Sequence, residues 1–172
     1  MSFAGNKILI VDDEPDLRDM LAFEFRSQKA LVLEAENGQA ALATILKEQD
    51  IHVVLTDIRM PNGNGVDLLR ESKKLNSNHP VFVIVTAYSD VSREILFDLG
   101  AECIFSKPFD LSLLISSVSR VQKKIQERFL EEIKADQISE KIKIEEKSKI
   151  EEKVEAKSED SLISTLLNKS IN

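Results

Sequence analysis

The chain has 172 residues, 42% of them hydrophobic and 31% charged, with a formal net charge of −7. That is apolar material for one core of ordinary domain size, with a surplus of charge that points to a solvated segment. The acidic balance argues against generic nucleic-acid binding, which needs clustered Lys and Arg; the single cysteine, Cys103, excludes an intrachain disulfide and a Cys-based metal site; and apolar runs such as Val81 to Val85 are far too short for membrane insertion.

Taken in chain order, five apolar runs alternate with five helical patterns. Ile8-Leu9-Ile10-Val11 precedes a face of Leu17, Met20, Leu21 and Phe25. Leu31-Val32-Leu33 precedes Leu42, Ile45 and Leu46, and Val53-Val54-Leu55 precedes Leu68 with Leu75. Val81 to Val85 precedes Val91, Ile95 and Leu99, and Cys103-Ile104-Phe105 precedes Leu114, Val118, Val121 and Ile125. Continuous apolarity predicts strands buried on both faces, and the recurring three- and four-residue spacings predict amphipathic helices. Pro15 suits a first helical turn, Asn37 and Asp110 suit N-caps, and Gly100 suits a helix stop. Five βα alternations imply a parallel sheet covered by helices on both sides.

Composition divides the chain near residue 125. The glycines end at Gly100 and the prolines at Pro108, so nothing beyond breaks a helix. Residues 126–172 hold 9 Lys/Arg and 12 Asp/Glu in 47 positions. The expected organisation is a domain over 1–125 and a highly charged tail over 126–172. No helix-turn-helix pattern, basic stripe or zinc spacing follows residue 125, so no direct nucleic-acid contact is expected. Ile138, Ile142, Ile150 and Val154 are too sparse to sustain a heptad. A frayed or disordered segment and a coiled-coil arm that would make a homodimer both stay open. At 161–171, Leu162, Ile163, Leu166, Leu167 and Ile171 form one apolar stripe, either a docking segment or a plain amphipathic end.

In an open parallel sheet the working site lies at the carboxyl ends of the strands. Run one ends in Asp12-Asp13, run three in Thr56-Asp57, run four in Thr86 and run five in Ser106-Lys107-Pro108. Converged, these give up to three carboxylates, a hydroxyl and an ammonium. Two carboxylates about 4 Å apart repel by roughly 4 kcal/mol at an effective dielectric near 20. They must share a proton, separate or bind a cation, and a hard oxygen-seeking ion such as Mg²⁺ suits the donor set. A carboxylate can also attack phosphorus and become an acyl phosphate. Asp57, the lone acid ending a central strand, is the best nucleophile; Asp12 and Asp13 are then acids for the metal. Lys107 and Thr86 would meet the oxygens of the incoming phosphoryl group.

The motifs ILIVDDEPD, VVLTDIRMPNGNG, VFVIVTAYSD and FSKPF, in this order, resemble the receiver domain of two-component response regulators. The resemblance covers about residues 5–125. It implies a flavodoxin-like, doubly wound α/β fold with five parallel strands in the order 2-1-3-4-5. It implies that Asp57 takes phosphoryl from a histidine kinase or a phosphotransfer protein. Asp12, Asp13, Asp57 and the main-chain carbonyl of Arg59 would surround Mg²⁺ or Mn²⁺. Thr86, the main-chain N–H of Ala87, and Lys107 would hold the phosphoryl oxygens, and the Lys107–Pro108 bond is similar to one that is cis in the family. Ile104 stands where the family usually has Tyr or Phe as a switch residue. Arg59 and Tyr88, two residues past Asp57 and Thr86, occupy positions that tune dephosphorylation in the family.

The two histidines, His52 at a strand start and His79 beside Pro80, suit structural roles, so phosphoryl must come from another molecule. The resulting expectation is a stand-alone cytoplasmic switch with a protein partner, since no basic and apolar leader pattern opens the chain. It is a signalling phosphoacceptor and not a turnover enzyme. Two rivals stand beside it. An aspartyl-phosphate phosphohydrolase usually has a second Asp two residues past the nucleophile, where this chain has Arg59; a phosphorylation-independent adaptor would use the domain as a platform.

Overall fold

The structure is a computed structural model that describes residues 2–48, 50–75, 80–87, 91–124, 126–127, 130–131, 133–134 and 137–143. Five strands alternate with helices: β1 (Lys7–Val11), α1 (Pro15–Ser27), β2 (Leu31–Ala35), α2 (Gly38–Lys47), β3 (Val53–Thr56), α3 (Gly65–Leu75), β4 (Val81–Thr86), α4 (Arg93–Asp98) and β5 (Ala101–Ser106). A fifth helix, α5, runs over residues 111–124. The sheet is wholly parallel, in the order β2-β1-β3-β4-β5. The expected doubly wound α/β fold is therefore the observed one.

Strand residues alternate between two cores, one on each face of the sheet. Leu9, Val11, Val54, Phe82 and Ile84 pack with Ala41 and Ile45 of α2, Leu68 and Leu69 of α3, and Leu96 of α4. Ile8, Ile10, Leu55, Val83 and Val85 pack with Leu21, Ala22 and Phe25 of α1 and with Leu114, Ile115 and Val118 of α5. Only the three inner strands are covered on both faces. The edge strands β2 and β5 are mostly half-buried, because each has a neighbour on one side alone.

Local signals place the helix ends. Asn37 Oδ1 accepts the Ala40 N–H at 2.9 Å, and Asp110 Oδ1 accepts the Leu113 N–H at 3.0 Å. Pro15 opens α1 and Gly100, at φ +100°, follows α4. Ser92, which the sequence reading passed over, caps α4 through the Ile95 N–H at 3.3 Å.

The helical faces need correction at their flanks. On α4 the buried residue is Leu96, at 1% exposure, whereas Ile95 is 52% exposed; Val91 and Leu99 of the expected stripe are half-buried against the same core, so the face is turned by one residue at its centre. Met20, Leu46 and Leu75 are likewise exposed, each lying past the edge of a face whose centre was read correctly. Phe3 is an unforeseen core residue with 0% exposure, stacked edge-on against Phe25 with ring centroids 5.2 Å apart. Phe3 stands alone ahead of the first strand, so no periodicity marks it.

The Cα trace divides into two units, at the junction of Lys124 and Ile125. In the second unit every described residue is helical and exposed, Ile138 and Ile142 among them. Ile125, Ile150, Val154 and the stripe at 161–171 lie outside the described residues, as do His79 and Tyr88. Among the described residues no helix is long and apolar enough to cross a membrane.

Candidate functional site

The last rungs of the sheet position the candidate residues. The Asp12 N–H donates to the Ala35 carbonyl at the end of β2 (3.2 Å), and the Asp57 N–H to the Val11 carbonyl at the end of β1 (3.0 Å). The Lys107 N–H donates to the Thr86 carbonyl at the end of β4 (2.9 Å). Each residue stands just past its strand, held by a neighbour's terminal carbonyl. Because β1 and β3 are adjacent, with Val11 opposite Thr56, Asp12 and Asp57 emerge side by side.

Lys107 joins them. Its Nζ donates to Asp12 Oδ2, Asp57 Oδ2 and Glu14 Oε1, each at 2.9 Å. Asp12 and Asp57 are 2% and 7% exposed, so the pairing is largely out of water, while Glu14 reaches in from an exposed position. Burial pushes the Asp12 carboxyl above its ordinary value, opposed by the bonds it accepts from Lys107 and from the Glu14 N–H. For Lys107, burial pulls the ammonium down, but the hydrogen bonds to Asp57, Asp12 and Glu14 together outweigh it and leave it above the usual lysine value.

One carboxylate oxygen from each of Asp12, Asp13 and Asp57 lies within 4.8 Å of the others. Asp13 is the exposed member of the three. The donors are hard oxygens, few enough to leave room for water and a phosphate oxygen, and they carry more negative charge than Lys107 offsets. This donor set fits a small divalent cation such as Mg²⁺ or Mn²⁺ and disfavours a soft one.

The loop after β3 is built to present Asp57. Thr56 Oγ1 donates to the Asp57 carbonyl at 2.9 Å, and the Arg59 N–H donates to Asp57 Oδ1 at 3.2 Å. The Gly65 N–H donates to the Ile58 carbonyl at 2.9 Å, which folds the loop back on itself. A Cβ at Gly65 would run into the Asp57 carbonyl, so only glycine fits there. Gly63, at φ +111°, lets the same loop meet α2, where its carbonyl accepts the Gly38 N–H at 2.9 Å.

The other expected residues fall as follows. Thr86 is buried at the end of β4, opposite Ser106, and Ala87 next to it is exposed. Ile104 packs toward the core that holds α4, while Phe105 packs toward the α1 and α5 core, so the two adjacent side chains take opposite faces. The Ile104 carbonyl accepts from Arg93 Nη2 at 3.0 Å. The Lys107–Pro108 bond is cis. His52 has a structural place: its Nδ1 accepts the Lys7 N–H at 3.2 Å, at the far end of β1 from Asp12.

Three residues of the site were not read from the sequence. Glu14 follows the Asp pair directly but is separated from Lys107 by 93 positions. Arg18 Nη1 donates to the Asp12 carbonyl at 2.7 Å. Gly65 was one of several loop glycines. Only the acidity of Glu14 beside two acids offered a signal.

The family model described as the response regulator receiver domain matches residues 8–119. Sporulation initiation phosphotransferase F of Bacillus subtilis is 34% identical over 117 residues, covering 67% of this chain and 93% of its own. The regulatory protein AtoC of Escherichia coli is 41% identical over 120 residues, covering 68% of this chain. The match spans only 25% of AtoC and 49% of the transcriptional regulator CpxR of Klebsiella pneumoniae. Among solved structures, the response regulator TrrA of Thermotoga maritima, crystallised with Mg²⁺ and BeF, is 30% identical with a TM-score of 0.60; the likeness covers 67% of this chain and 97% of that one. A receiver domain from Clostridium thermocellum is 28% identical with a TM-score of 0.65, over 70% of this chain and 97% of its own. The acids at the ends of β1 and β3 and the lysine after β5 are thus set in a fold shared with these proteins, and the chain belongs to the response regulator receiver domain family of two-component signalling.

Proposed function

We propose that Asp57 is the phosphoacceptor of this receiver domain and that a histidine kinase or a phosphotransfer protein is its donor. The observation that carries the reading is the triple contact of Lys107 with Asp57, Asp12 and Glu14, beside a third acid, Asp13. It is an arrangement of excess negative charge with one ammonium, poised for a cation and a phosphoryl group.

An Asp57 carboxylate oxygen attacks phosphorus, the P–Oδ bond forms, and the bond to the donor's leaving group breaks with its electron pair. A leaving imidazole or acetate carries that pair away. Lys107 turns its ammonium to a phosphoryl oxygen, and the Thr86 hydroxyl and the Ala87 N–H donate to the others. Asp12, Asp13, Asp57 and the main-chain carbonyl of Arg59 would hold Mg²⁺ or Mn²⁺, which neutralises charge on the transferring group when bound. By the family resemblance Arg59 and Tyr88 stand at positions that tune dephosphorylation, so shortening both to Ala should speed loss of phosphate.

The new phosphoryl carries about −1.5 to −2 charges and biases a two-state surface. A swing from 1:99 to 99:1 takes about 5.5 kcal/mol of differential stabilisation. The readout is protein binding, by family analogy on the face of α4, β5 and α5; Ile95 and Phe97 of α4 and Leu113 of α5 are exposed. Ile104 moves there with a smaller lever than an aromatic ring. The domain acts once per phosphorylation, as a cytoplasmic switch and not as a turnover enzyme.

The test is incubation of the full chain with Mg²⁺ and acetyl phosphate, followed by intact mass. Wild type should gain one phosphoryl group and Asp57→Ala none. Equal labelling of the variant would refute the assignment, and full biological output from Asp57→Asn would favour the adaptor reading.

A further inference from the structure

Asp12 and Asp57 face two competing cations. Both accept from the Lys107 ammonium at 2.9 Å, and both belong to the acid group suited to a divalent ion. An ammonium and a divalent cation on the same carboxylates repel each other, so whatever draws Nζ aside favours the ion. Glu14 is placed to do this. Its Oε1 takes the third Nζ bond at 2.9 Å, from a side chain that is 64% exposed.

The backbone of Glu14 is held at both its N–H and its carbonyl, whereas its side chain is held only through Oε1 and is largely exposed. Its N–H donates to Asp12 Oδ1 at 2.9 Å, and its carbonyl accepts the Arg18 N–H at 3.0 Å. Glu14 stands at the N-cap of α1 in extended conformation, yet makes no side-chain cap bond to the helix. A residue in that position ordinarily satisfies a free helix N–H, and the types that do so best are shorter. Here the side chain leaves the helix and bonds a lysine from the other end of the domain.

On the metal reading given above, we propose that Glu14 is a positioning residue for Lys107. It receives the ammonium when the cation arrives, frees Asp12 and Asp57 for Mg²⁺, and keeps Nζ at the mouth of the site for the phosphoryl oxygen. The rival explanation is a simple field effect, since any nearby carboxylate attracts Mg²⁺. The two differ in one respect: the field effect persists without Lys107, and the positioning effect does not.

The experiment is a double-mutant cycle on the full chain, with Mg²⁺ affinity read by titration calorimetry. Glu14→Gln should weaken Mg²⁺ binding by about threefold, the scale of a half-exposed ion pair. Lys107→Met should tighten it. In the Lys107→Met background, Glu14→Gln should change the affinity by less than about twofold. Lys107→Gln supplies a second background should Lys107→Met fold poorly. Equal losses in both backgrounds, or no loss in wild type, overturn the positioning role and leave the metal site standing. Failure of wild type to bind Mg²⁺, or binding indifferent to Asp12→Asn, removes the metal reading and this inference with it.

Discussion

Lys107 touches three carboxylates from two parts of the chain, and none of those contacts is local. The residue types at the site were legible because chemistry restricts them: two acids, a third acid, a hydroxyl and a lysine, each just past an apolar run. Their partners were not, since a strand end says where a side chain starts and not which distant group it meets. Gly65 shows the same limit. In the loop it reads as one glycine of two, and only its approach to the Asp57 carbonyl singles it out. Gly65→Ala should therefore cost about 2 kcal/mol through forced displacement of backbone. It should also slow acetyl-phosphate labelling by about tenfold, since a small misplacement of a nucleophile is expensive. Urea unfolding and labelling kinetics check the two halves; a variant as stable and as fast as wild type would contradict the reading.

At the scale of elements, the helices differ in how well their buried faces were anticipated. On α1, Leu21 and Phe25 lie at the centre of the expected face and are buried, but Met20 lies at its edge and is exposed. A 3.6-residue period gives the direction of a face and leaves its width to whatever packs against it. On α4 the helix holds six residues, and a single one, Leu96, is buried. The α1 and α5 core also includes Phe3, which no pattern announces. Because Phe25 is fully buried and meets Phe3 edge-on, Phe25→Ala should destabilise by about 3–5 kcal/mol and Phe3→Ala by about 3 kcal/mol. Denaturant titration of both variants measures this. Losses under about 1 kcal/mol would mean that Phe3 is not part of the working core.

At the scale of the whole molecule, the site's charge sets a balance between stability and function. Asp12, Asp13 and Asp57 place oxygens within 4.8 Å of one another, a repulsion that the chain tolerates for the sake of the site. A ligand that binds only the folded state stabilises it, by about 2.7 kcal/mol at one hundred times its Kd. Mg²⁺ should therefore raise Tm, and chelation should reverse the rise. Asp13→Asn should raise the cation-free Tm by about 2–4 °C, by relieving the repulsion, and lose most of the response to Mg²⁺. Differential scanning calorimetry with and without Mg²⁺ tests both; an unchanged cation-free Tm would show that the acids do not strain the fold.

The alternation of apolar runs with helical faces, the helix starts at Asn37 and Asp110, the stop at Gly100, and the acids and lysine at strand ends could all be read along the chain. Each depends on a residue and its near neighbours, or on a period that repeats within one element. The reach of Glu14 to Lys107, the burial of Phe3, the orientation of α4 and the half-exposure of β2 and β5 could not. Those are settled by which elements become neighbours, and that is a minimum of the summed packing and electrostatic energy over residues up to 95 positions apart.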